Sequence, residues 1–394
     1  MKSNILFIMG GLGDGGGQRS LINLLQLIDN ERYNVDLVLF KEKGIFFNQL
    51  PEYVNLLSDC DILHFMYSDR INSLFSLKHP ILAVNHLFGT LISKVKTKSG
   101  FQKGQYRWEK YYSKLIPSIR KHYDVAISYM EGEATYFLVD KVCASKKIAW
   151  VHTDYSQIEA YEDFDLRYYL KVDKVVTISD ICLSVLKNTF PSIKDKITVL
   201  HNLVNSTEIR RLSEVYIPTE LQTDRLCFIS IGRLVKLKGF DLAISAAAIL
   251  KKKGIKFSWF ILGEGEEREN LEKQIIDENV SDCFFLLGAI ANPYPFIKYS
   301  DIVVQTSRYE GKSMVLDEAK ILAKPIVVTN YDTVCDQINE KEGIIVSMTS
   351  DEIAAGICRM IKEKTKFSNN LKSNEYGNES ELKLFYDLLD SKRL

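Results

Sequence analysis

The sequence predicts an α/β protein of two domains, each built on a parallel sheet. The chain has 394 residues, and at roughly 100–200 residues per domain two domains are expected. Short apolar segments typical of buried strands alternate with amphipathic segments typical of helices along most of the chain. This alternation is the pattern of parallel α/β domains, and polar or glycine-rich turns follow several of the strands.

The first half contains a series of short predicted strands and one clear amphipathic helix. The helix spans Ser20–Ile28, with its leucines on one face. The strands are predicted at Ile5–Met9, Val35–Phe40, Val125–Ser128, Ile148–His152, Val175–Ile178 and Ile197–Leu200. A polar segment from about Asn205 to Asp224 interrupts the pattern. We therefore expect a first domain over 1–204 and a second over 205–379.

The second half repeats the alternation more regularly. Strands are predicted at Leu226–Ile231, Phe257–Leu262, Cys283–Leu287, Ile302–Gln305, Ile326–Val328 and Ile344–Val346, and helices at Phe240–Lys252, Glu266–Glu278, Lys312–Leu322 and Asp351–Glu363. Ser350 is the predicted N-cap of the last of these helices. A polar stretch, Thr365–Ser380, then leads to a short helix at Leu382–Leu389. We expect this C-terminal segment, about 380–394, to pack back on the first domain.

Composition excludes several classes of protein. Lys+Arg and Asp+Glu are equal at 51 each, so net charge predicts no partner. The seven cysteines form no CxxC pair, which argues against a disulfide framework or a thiolate metal site and favours a reducing compartment. The N-terminus does not have the pattern of a signal peptide, and no run of about 18 apolar residues is present. A cytoplasmic protein is expected.

Two glycine-containing loops each follow a predicted strand and precede a helix. In the first, Gly10–Arg19, the glycines at 11, 13 and 16 satisfy GxGxxG; amides at such a turn favour a phosphate at the helix N-terminus. A flexible turn and a dinucleotide-binding fold are the alternatives. The second, Ser230–Gly239, carries Arg233 and Lys238, cations suited to a diphosphate. A solvated basic loop is the alternative there.

The third motif is a pair of glutamates, Glu310 and Glu318, in the segment Arg308–Ala319. The predicted helix puts one carboxylate at its entrance and the other about two turns further on. Each carboxylate suits the vicinal hydroxyls of a sugar or ribose, and the amides of Gly311–Met314 provide a second anion-binding edge. Solvated helix surface is the alternative.

These motifs resemble those of family-4-type glycosyltransferases with the GT-B fold. Glu310 and Glu318 match the E-x7-E signature, and Gly232-Arg233 with Lys238-Gly239 match its G-R-x4-K-G segment. Gly15-Gly16-Gly17-Gln18-Arg19 approximates the N-terminal G-G-A-E-R loop, and Gly263-Glu264-Gly265 matches a further turn. The resemblance implies two Rossmann-like domains facing each other across a cleft, with the donor on the second domain and the acceptor on the first.

The resemblance also implies roles for individual residues. Arg233 and Lys238 would hold the diphosphate, Glu318 the ribose, and Glu310 the donor sugar. Further donor contacts are expected at Gly15, Gly16, Gly263, Ile290, Gly311, Lys312, Ser313 and Met314. The family transfers sugars with retention at the anomeric carbon and needs no metal or other cofactor. Gln18, Lys312 and Ala323 depart from the residues common in the family, which leaves the identity of the sugar open.

The segment Trp150–Asp154 follows a predicted strand and contains His152. This histidine resembles the family residue that faces the anomeric centre of the sugar. An imidazole could bind a sugar hydroxyl or stabilise developing charge; an ordinary core or surface histidine is the alternative. The histidines have no paired spacing, so no zinc site is expected. Two DxD triplets, Asp59–Asp61 and Asp163–Asp165, could bind a divalent metal, but so short a pattern is common by chance and no metal role is expected.

The segment 94–121 is strongly basic and contains Tyr106, Trp108, Tyr111 and Tyr112. This mixture suits an anionic membrane surface. A solvated surface is an equally weighted interpretation, and nucleic acid is disfavoured because no nucleic-acid module is recognisable.

The sequence therefore predicts an enzyme that moves a sugar from a nucleotide diphosphate, with UDP favoured, to a glycan or lipid-linked acceptor. Cell-surface polysaccharide or glycoconjugate synthesis, in the cytoplasm or at the inner face of the membrane, is the expected setting. A GT-B-fold sugar-nucleotide epimerase and a non-catalytic partner subunit of a transferase are the alternatives.

Overall fold

The computed structural model describes residues 2–13, 15–58, 60–67 and 89–391. Contacts divide the chain into two compact units. The first unit comprises Met1–Gly13, Gly17–Asn202 and Ser380–Leu394, and the second comprises Asp14–Gly16 and Leu203–Glu379. Every strand pairing within the two sheets is parallel. The predicted fold class, two Rossmann-like α/β domains, is confirmed.

The first unit is built on a seven-stranded sheet in the order β3-β2-β1-β4-β5-β6-β7. The strands are β1 Ser3–Met9, β2 Tyr33–Leu39, β3 Asn55–Leu56, β4 His122–Ser128, β5 Cys143–Val151, β6 Lys174–Thr177 and β7 Ile197–Val199. The α-helices are Gly16–Leu27, Asp61–Tyr67, 89–96, Gly100–Arg107, Ser113–Leu115, Glu133–Lys141, Glu162–Tyr169, Asp180–Thr189 and Glu381–Asp390. The chain order reverses between β1 and β4, and that position is where sheets of this kind bind ligands.

The second unit is built on a six-stranded sheet in the order β10-β9-β8-β11-β12-β13. The strands are β8 Leu226–Ile231, β9 Phe257–Leu262, β10 Phe284–Gly288, β11 Ile302–Gln305, β12 Ile326–Thr329 and β13 Gly343–Val346, and the α-helices are Ser206–Leu212, Phe240–Lys252, Arg268–Asp277, Tyr294–Tyr299, Met314–Ile321 and Ser350–Lys372. Neighbouring residues of β8 enter different apolar clusters, Phe228 one and Ile229 the other. The sheet is therefore covered on both faces, and its reversal point lies between β8 and β11.

One predicted helix was misplaced at both ends. The helix expected at Asp351–Glu363 extends to Lys372, because Phe367 and Leu371 continue its buried face through the stretch read as polar. The N-cap is Thr349, whose hydroxyl oxygen accepts a hydrogen bond from the Glu352 amide. The prediction of Ser350 as the N-cap was therefore wrong.

The interpretation of the aromatic side chains in the basic segment 94–121 as part of a surface was partly wrong. It is mostly helical, with a π-helical turn at Trp108–Tyr112. Trp108 and Tyr112 are fully buried in the core of the first unit. These two aromatic side chains therefore cannot contribute to a surface, because packing inside the unit already occupies them. Among the described residues, no helix is both long enough and apolar enough to span a bilayer.

The C-terminal helix Glu381–Asp390 completes the core of the first unit. The Phe385 ring stacks near Phe7 at 6.4 Å between centroids, and the Tyr386 ring stacks on Tyr33 at 5.7 Å. The ammonium of Lys146 is directed at the C-terminal end of this helix, where carbonyl groups have no intrahelical partner. It donates to the Leu389 carbonyl at 3.3 Å, and to the carbonyl and hydroxyl of Ser391 at 2.6 and 2.7 Å.

Lys146→Met should remove this anchor while keeping the length of the side chain. Because a hydrogen bond to a charged group is worth about 1.5–3 kcal/mol, the free energy of unfolding of the first unit should fall by about 2 kcal/mol. Urea unfolding measures this loss, and hydrogen exchange should accelerate in 381–390. Lys187→Met, at an exposed lysine of the same unit, is the control. An equal loss in both variants would contradict the anchoring role.

Candidate functional site

The loops that follow β8 and β11 meet at the reversal point of the second sheet. The Lys238 ammonium, from the first loop, forms an ion pair with Oε1 of Glu310, from the second. Backbone contacts also join the loops: Arg308 donates its amide hydrogen to the Leu237 carbonyl at 2.7 Å. Two residues predicted from separate motifs are therefore neighbours at the edge where parallel sheets bind ligands.

Glycine at position 239 makes this close approach possible. Its φ of 64° is left-handed, a conformation that glycine adopts without a steric penalty. A Cβ at Gly239 would collide with the Thr306 carbonyl oxygen, and one at Gly263 would collide with the Gly232 carbonyl oxygen. The second collision explains why position 263, in the predicted donor turn after β9, is occupied by glycine.

The carboxylate of Glu310 is held by a small polar network. Besides Lys238, Oε1 accepts the Ser307 hydroxyl at 2.7 Å and the Gln305 amide at 3.3 Å. Only 12% of the side chain is exposed. All of these hydrogen bonds end on Oε1, and Oε2 accepts none from the part of the chain that the structure describes. One oxygen of a fixed carboxylate thus has its lone pairs available for a ligand hydroxyl.

Glu318 is buried within the helix Met314–Ile321. It is 2% exposed, and its Oε1 accepts the Tyr294 hydroxyl at 3.3 Å. The alternative that the two glutamates are solvated helix surface is therefore wrong for both of them. A buried carboxylate is costly unless it is hydrogen-bonded, and the Tyr294 hydroxyl supplies such a bond.

The predicted anion-binding edge at Gly311–Met314 is only partly available. The Ser313 amide donates to Oε1 of Gln337 at 2.8 Å, and the Gln337 side-chain amide donates to the Ser313 carbonyl at 2.9 Å. Lys312 lies 4.0 Å from the Asp317 carboxylate. The N-cap side chain of the helix Met314–Ile321 makes no hydrogen bond to the helix, so it does not occupy the first-turn amides. Gln337 was not predicted, and no motif marks it.

Arg233 and Ile290 complete the predicted set in the second unit. Arg233 is exposed, and its guanidinium forms no hydrogen bond or ion pair with any residue that the structure describes. Ile290 is half-buried and packs against the apolar cluster of this unit. Of the two cations predicted after β8, Lys238 is therefore engaged and Arg233 is unengaged in the described residues.

In the first unit, His152 directly follows β5. Both of its ring nitrogens are buried without a hydrogen-bond partner in the described residues. Burial lowers the pKa of the imidazole to about 3, so the ring is neutral at physiological pH. Gly17 lies against it: a Cβ there would meet Cγ of His152 at 3.3 Å. Gly15 and Gly16 lie just before this point, where the helix Gly16–Leu27 begins.

Glu131, which was not predicted, orients the His152 loop. Its Oε2 accepts the His152 amide hydrogen bond at 2.9 Å, and its Oε1 accepts the Thr153 hydroxyl at 2.6 Å. A signal for it was present in the sequence. Ser128–Gly132 and Ser307–Gly311 both read Ser-x-x-Glu-Gly, and each follows the strand just across the reversal point of its sheet, β4 or β11.

The two DxD triplets are not equivalent. Asp165 is buried and accepts hydrogen bonds from the hydroxyls of Tyr136 and Tyr155 and from the Gln105 amide. These contacts show a structural role for its carboxylate. Asp163 is exposed on the helix surface. Asp59 lies outside the described residues, and Asp61 begins the helix Asp61–Tyr67.

Comparison with known proteins assigns the second unit to a family. Residues 217–378 match the model of the family described as Glycosyl transferases group 1. An N-acetylgalactosaminyltransferase of Campylobacter jejuni, named for a diphospho-undecaprenol acceptor, is 23% identical over 347 residues, 86% of this chain and 85% of its own. An uncharacterized glycosyltransferase of Methanocaldococcus jannaschii is 26% identical over 51% of this chain.

Some of the relatives match over a smaller share of their length. The chain spans 53% of the Methanocaldococcus protein. It spans 37% of a poly(ribitol-phosphate) alpha-N-acetylglucosaminyltransferase of Staphylococcus aureus, which is 28% identical over 44% of this chain.

Solved structures share the fold along nearly the whole chain. HepE of Anabaena, crystallised with UDP and glucose, has a TM-score of 0.69 at 15% identity and covers 99% of this chain and 100% of its own. TarM of Staphylococcus aureus has a TM-score of 0.67 at 17% identity, with 99% and 100% covered. The second unit therefore matches the family Glycosyl transferases group 1 over most of its length, and the whole chain has the fold of HepE and TarM.

Proposed function

We propose that the chain is a retaining hexosyltransferase that transfers a sugar from a UDP-sugar to a glycan or lipid-linked acceptor. The observation that carries the proposal is the reversal point of the second sheet, where Arg233, Lys238 and Glu310 lie on two joined loops. UDP as the nucleotide is supported by HepE, which was crystallised with UDP and with glucose. Retention follows from the family resemblance.

The donor is proposed to bind through three kinds of group. Arg233, which has no partner in the described residues, would bind diphosphate oxygens through its planar guanidinium. Lys238 would add a second positive charge, in competition with Glu310. Glu310 would accept a donor-sugar hydroxyl on Oε2, and Glu318 would accept a ribose hydroxyl. The first-turn amides of Met314–Ile321 would add an anion-binding edge.

This arrangement supports chemistry without a metal or other cofactor. As the diphosphate leaves, negative charge develops on its oxygens, and preorganised cations and amides stabilise that charge without reorganisation. Arg233 and Lys238 supply the two positive charges that a divalent ion supplies in other transferases. His152 would serve the reacting sugar as a neutral hydrogen-bonding group, and Glu131 holds its loop in position.

We also propose that the first unit contacts an anionic membrane surface. On the helical residues 89–96, Leu91 is 53% exposed and Val95, one turn later, is 87% exposed. Lys94, Lys96 and Lys98 are exposed beside them. Apolar side chains flanked by lysines suit the boundary of a lipid bilayer. The Campylobacter relative, named for a lipid-linked acceptor, supports a setting in surface polysaccharide or glycoconjugate synthesis.

Incubation with a panel of nucleotide sugars, with and without EDTA, tests the reaction. Release of UDP should exceed that of other nucleotides and should be unchanged by EDTA. NMR of the product should show an anomeric configuration equal to that of the donor. Turnover that requires manganese would contradict metal independence, and no release from any sugar nucleotide would favour a non-catalytic partner subunit.

Glu310→Gln and Glu318→Gln should separate the two carboxylates. Glu318→Gln should weaken UDP and donor binding alike, by about 10–100-fold, because a charged hydrogen bond is worth about 1.5–3 kcal/mol. Glu310→Gln should lower kcat by about 100-fold, since its contact strengthens as charge develops. It should not weaken UDP binding, because the change releases Lys238.

Calorimetry with UDP and steady-state kinetics measure these effects. Glu269→Gln, at an exposed glutamate of the same unit, is the matched control. If Glu310→Gln loses UDP affinity and Glu318→Gln keeps it, the assigned roles are reversed.

Vesicle sedimentation tests the membrane contact. Replacing Lys94, Lys96 and Lys98 together by Gln should weaken binding to phosphatidylglycerol vesicles by about 100-fold, at about 1 kcal/mol per lysine. Val95→Ser should also weaken it, whereas Val215→Ser, at an exposed valine of the second unit, should not. Equal binding of all variants to neutral and anionic vesicles would refute the contact.

A further inference from the structure

A cavity of about 470 Å³ lies at the reversal point of the first sheet. It adjoins Gly10 after β1, Lys41 after β2 and Glu131 after β4. Small-molecule sites in proteins have volumes of about 300–1,000 Å³, so the space fits a compact ligand. Its position in the first unit corresponds to that of the proposed donor site in the second.

The charged groups that line the cavity balance one another. Lys41 and Arg107 are cationic, and Glu131 and Glu133 are anionic. The Arg107 guanidinium lies 3.4 Å from the Glu133 carboxylate and above the Tyr112 ring, 5.5 Å from its centroid. The lining therefore has formal charges of both signs and no net charge.

The cavity also contains hydrogen-bond donors with no partner. The Tyr67 hydroxyl, the Thr90 hydroxyl and Nε of Arg107 are buried and unsatisfied in the described part of the chain. The three residues that carry these groups all line the cavity. Leaving a buried donor unpaired is energetically costly, so these groups indicate a ligand that supplies oxygen acceptors. Phe40 and Met66 form an apolar part of the wall.

The turn Glu131-Gly132-Glu133 delivers both carboxylates to the same cavity. Gly132 has a φ of 76°, a left-handed conformation that glycine tolerates, and it is the N-cap of the helix Glu133–Lys141. Gly104 leaves room for the second carboxyl group, because a Cβ there would lie 3.2 Å from Cδ of Glu133. Acceptors and donors therefore face a single space.

We propose that this cavity binds the terminal sugar of the acceptor and selects a neutral pyranose over an acidic one. A neutral sugar donates its hydroxyls to Glu131 and Glu133, and its oxygens accept from Tyr67, Thr90 and Arg107. A carboxylate or phosphate on the sugar adds a negative charge to a lining whose own charges already balance, and that uncompensated charge is unfavourable in a partly buried site. The assignment to the acceptor rests on the proposed glycosyltransferase function.

Three methyl glycosides test the selection: glucoside, N-acetylglucosaminide and glucuronide. Binding to the full-length protein is measured by saturation-transfer NMR titration. The neutral glycosides should bind at least about 10-fold more tightly than the glucuronide, because its charge has no counter-charge left in the cavity. Equal or tighter binding of the glucuronide to the natural protein would overturn the proposal.

Glu133→Gln provides a second measurement. The preference between glycosides would not change if Glu133 had only a structural role. The change leaves Arg107 without its counter-charge, so the preference should shift toward the glucuronide by about 10-fold or more. Glu109→Gln, which removes a glutamate ion-paired to Lys110 outside the cavity, should leave the preference unchanged. An equal shift in both variants would overturn the proposal.

UDP calorimetry on the same samples separates this inference from the proposed function. If UDP binds and none of the glycosides does, the acceptor assignment fails and the donor site stands. If UDP does not bind, the proposed function fails. Selective glycoside binding would then show a neutral-sugar site, but its assignment to an acceptor would be lost.

Discussion

The ion pair between Lys238 and Glu310 joins the two loops on which the proposed donor site depends. Parallel strands end at the same edge of a sheet, and the reversal between β8 and β11 leaves a crevice there. The loops approach closely because Gly239 has no side chain to strike the Thr306 carbonyl. The ion pair holds the Glu310 carboxylate in place and partly neutralises Lys238. A diphosphate would therefore compete with Glu310 for the ammonium, which couples binding of the nucleotide to the freedom of the sugar-facing carboxylate.

In the first unit, Glu131 also binds a neighbouring loop, but it accepts hydrogen bonds from a different set of donors. Glu131 accepts a backbone amide and a hydroxyl from the loop after β5, whereas Glu310 accepts an ammonium, a hydroxyl and a side-chain amide. Both glutamates occupy a Ser-x-x-Glu-Gly segment at the same place in the strand order. At each reversal point, a carboxylate after the fourth strand of the order fixes a neighbouring loop. The result is an oriented His152 loop in one unit and a cation held near a carboxylate in the other.

Burial decides which charged groups remain available for ligands. Glu318 and Glu310 are tolerated inside the protein because hydroxyl, amide or ammonium groups donate hydrogen bonds to them. His152 instead loses its charge, since its buried ring has no partner among the described residues to stabilise the protonated form. The Lys146 ammonium donates hydrogen bonds to carbonyl groups at the C-terminal end of a helix, so it has partners within the protein. Buried polar groups without partners in the described residues, such as the His152 ring and Nε of Arg107, thus add to the places where ligands are expected.

Local patterns in the sequence determined the fold class and much of the second unit. Strand and helix periods and the glycines after strands are short-range features, and the helix Phe240–Lys252 has the predicted bounds. The spacing of Glu310 and Glu318 likewise lies within one motif. The tertiary structure alone decided that Gln337 occupies the Ser313 amide, that Glu131 orients His152, and that Arg107 meets Glu133. These partners are 24, 21 and 26 positions apart. No local period links residues at such separations, because only the packing of strands and loops in three dimensions brings their side chains together.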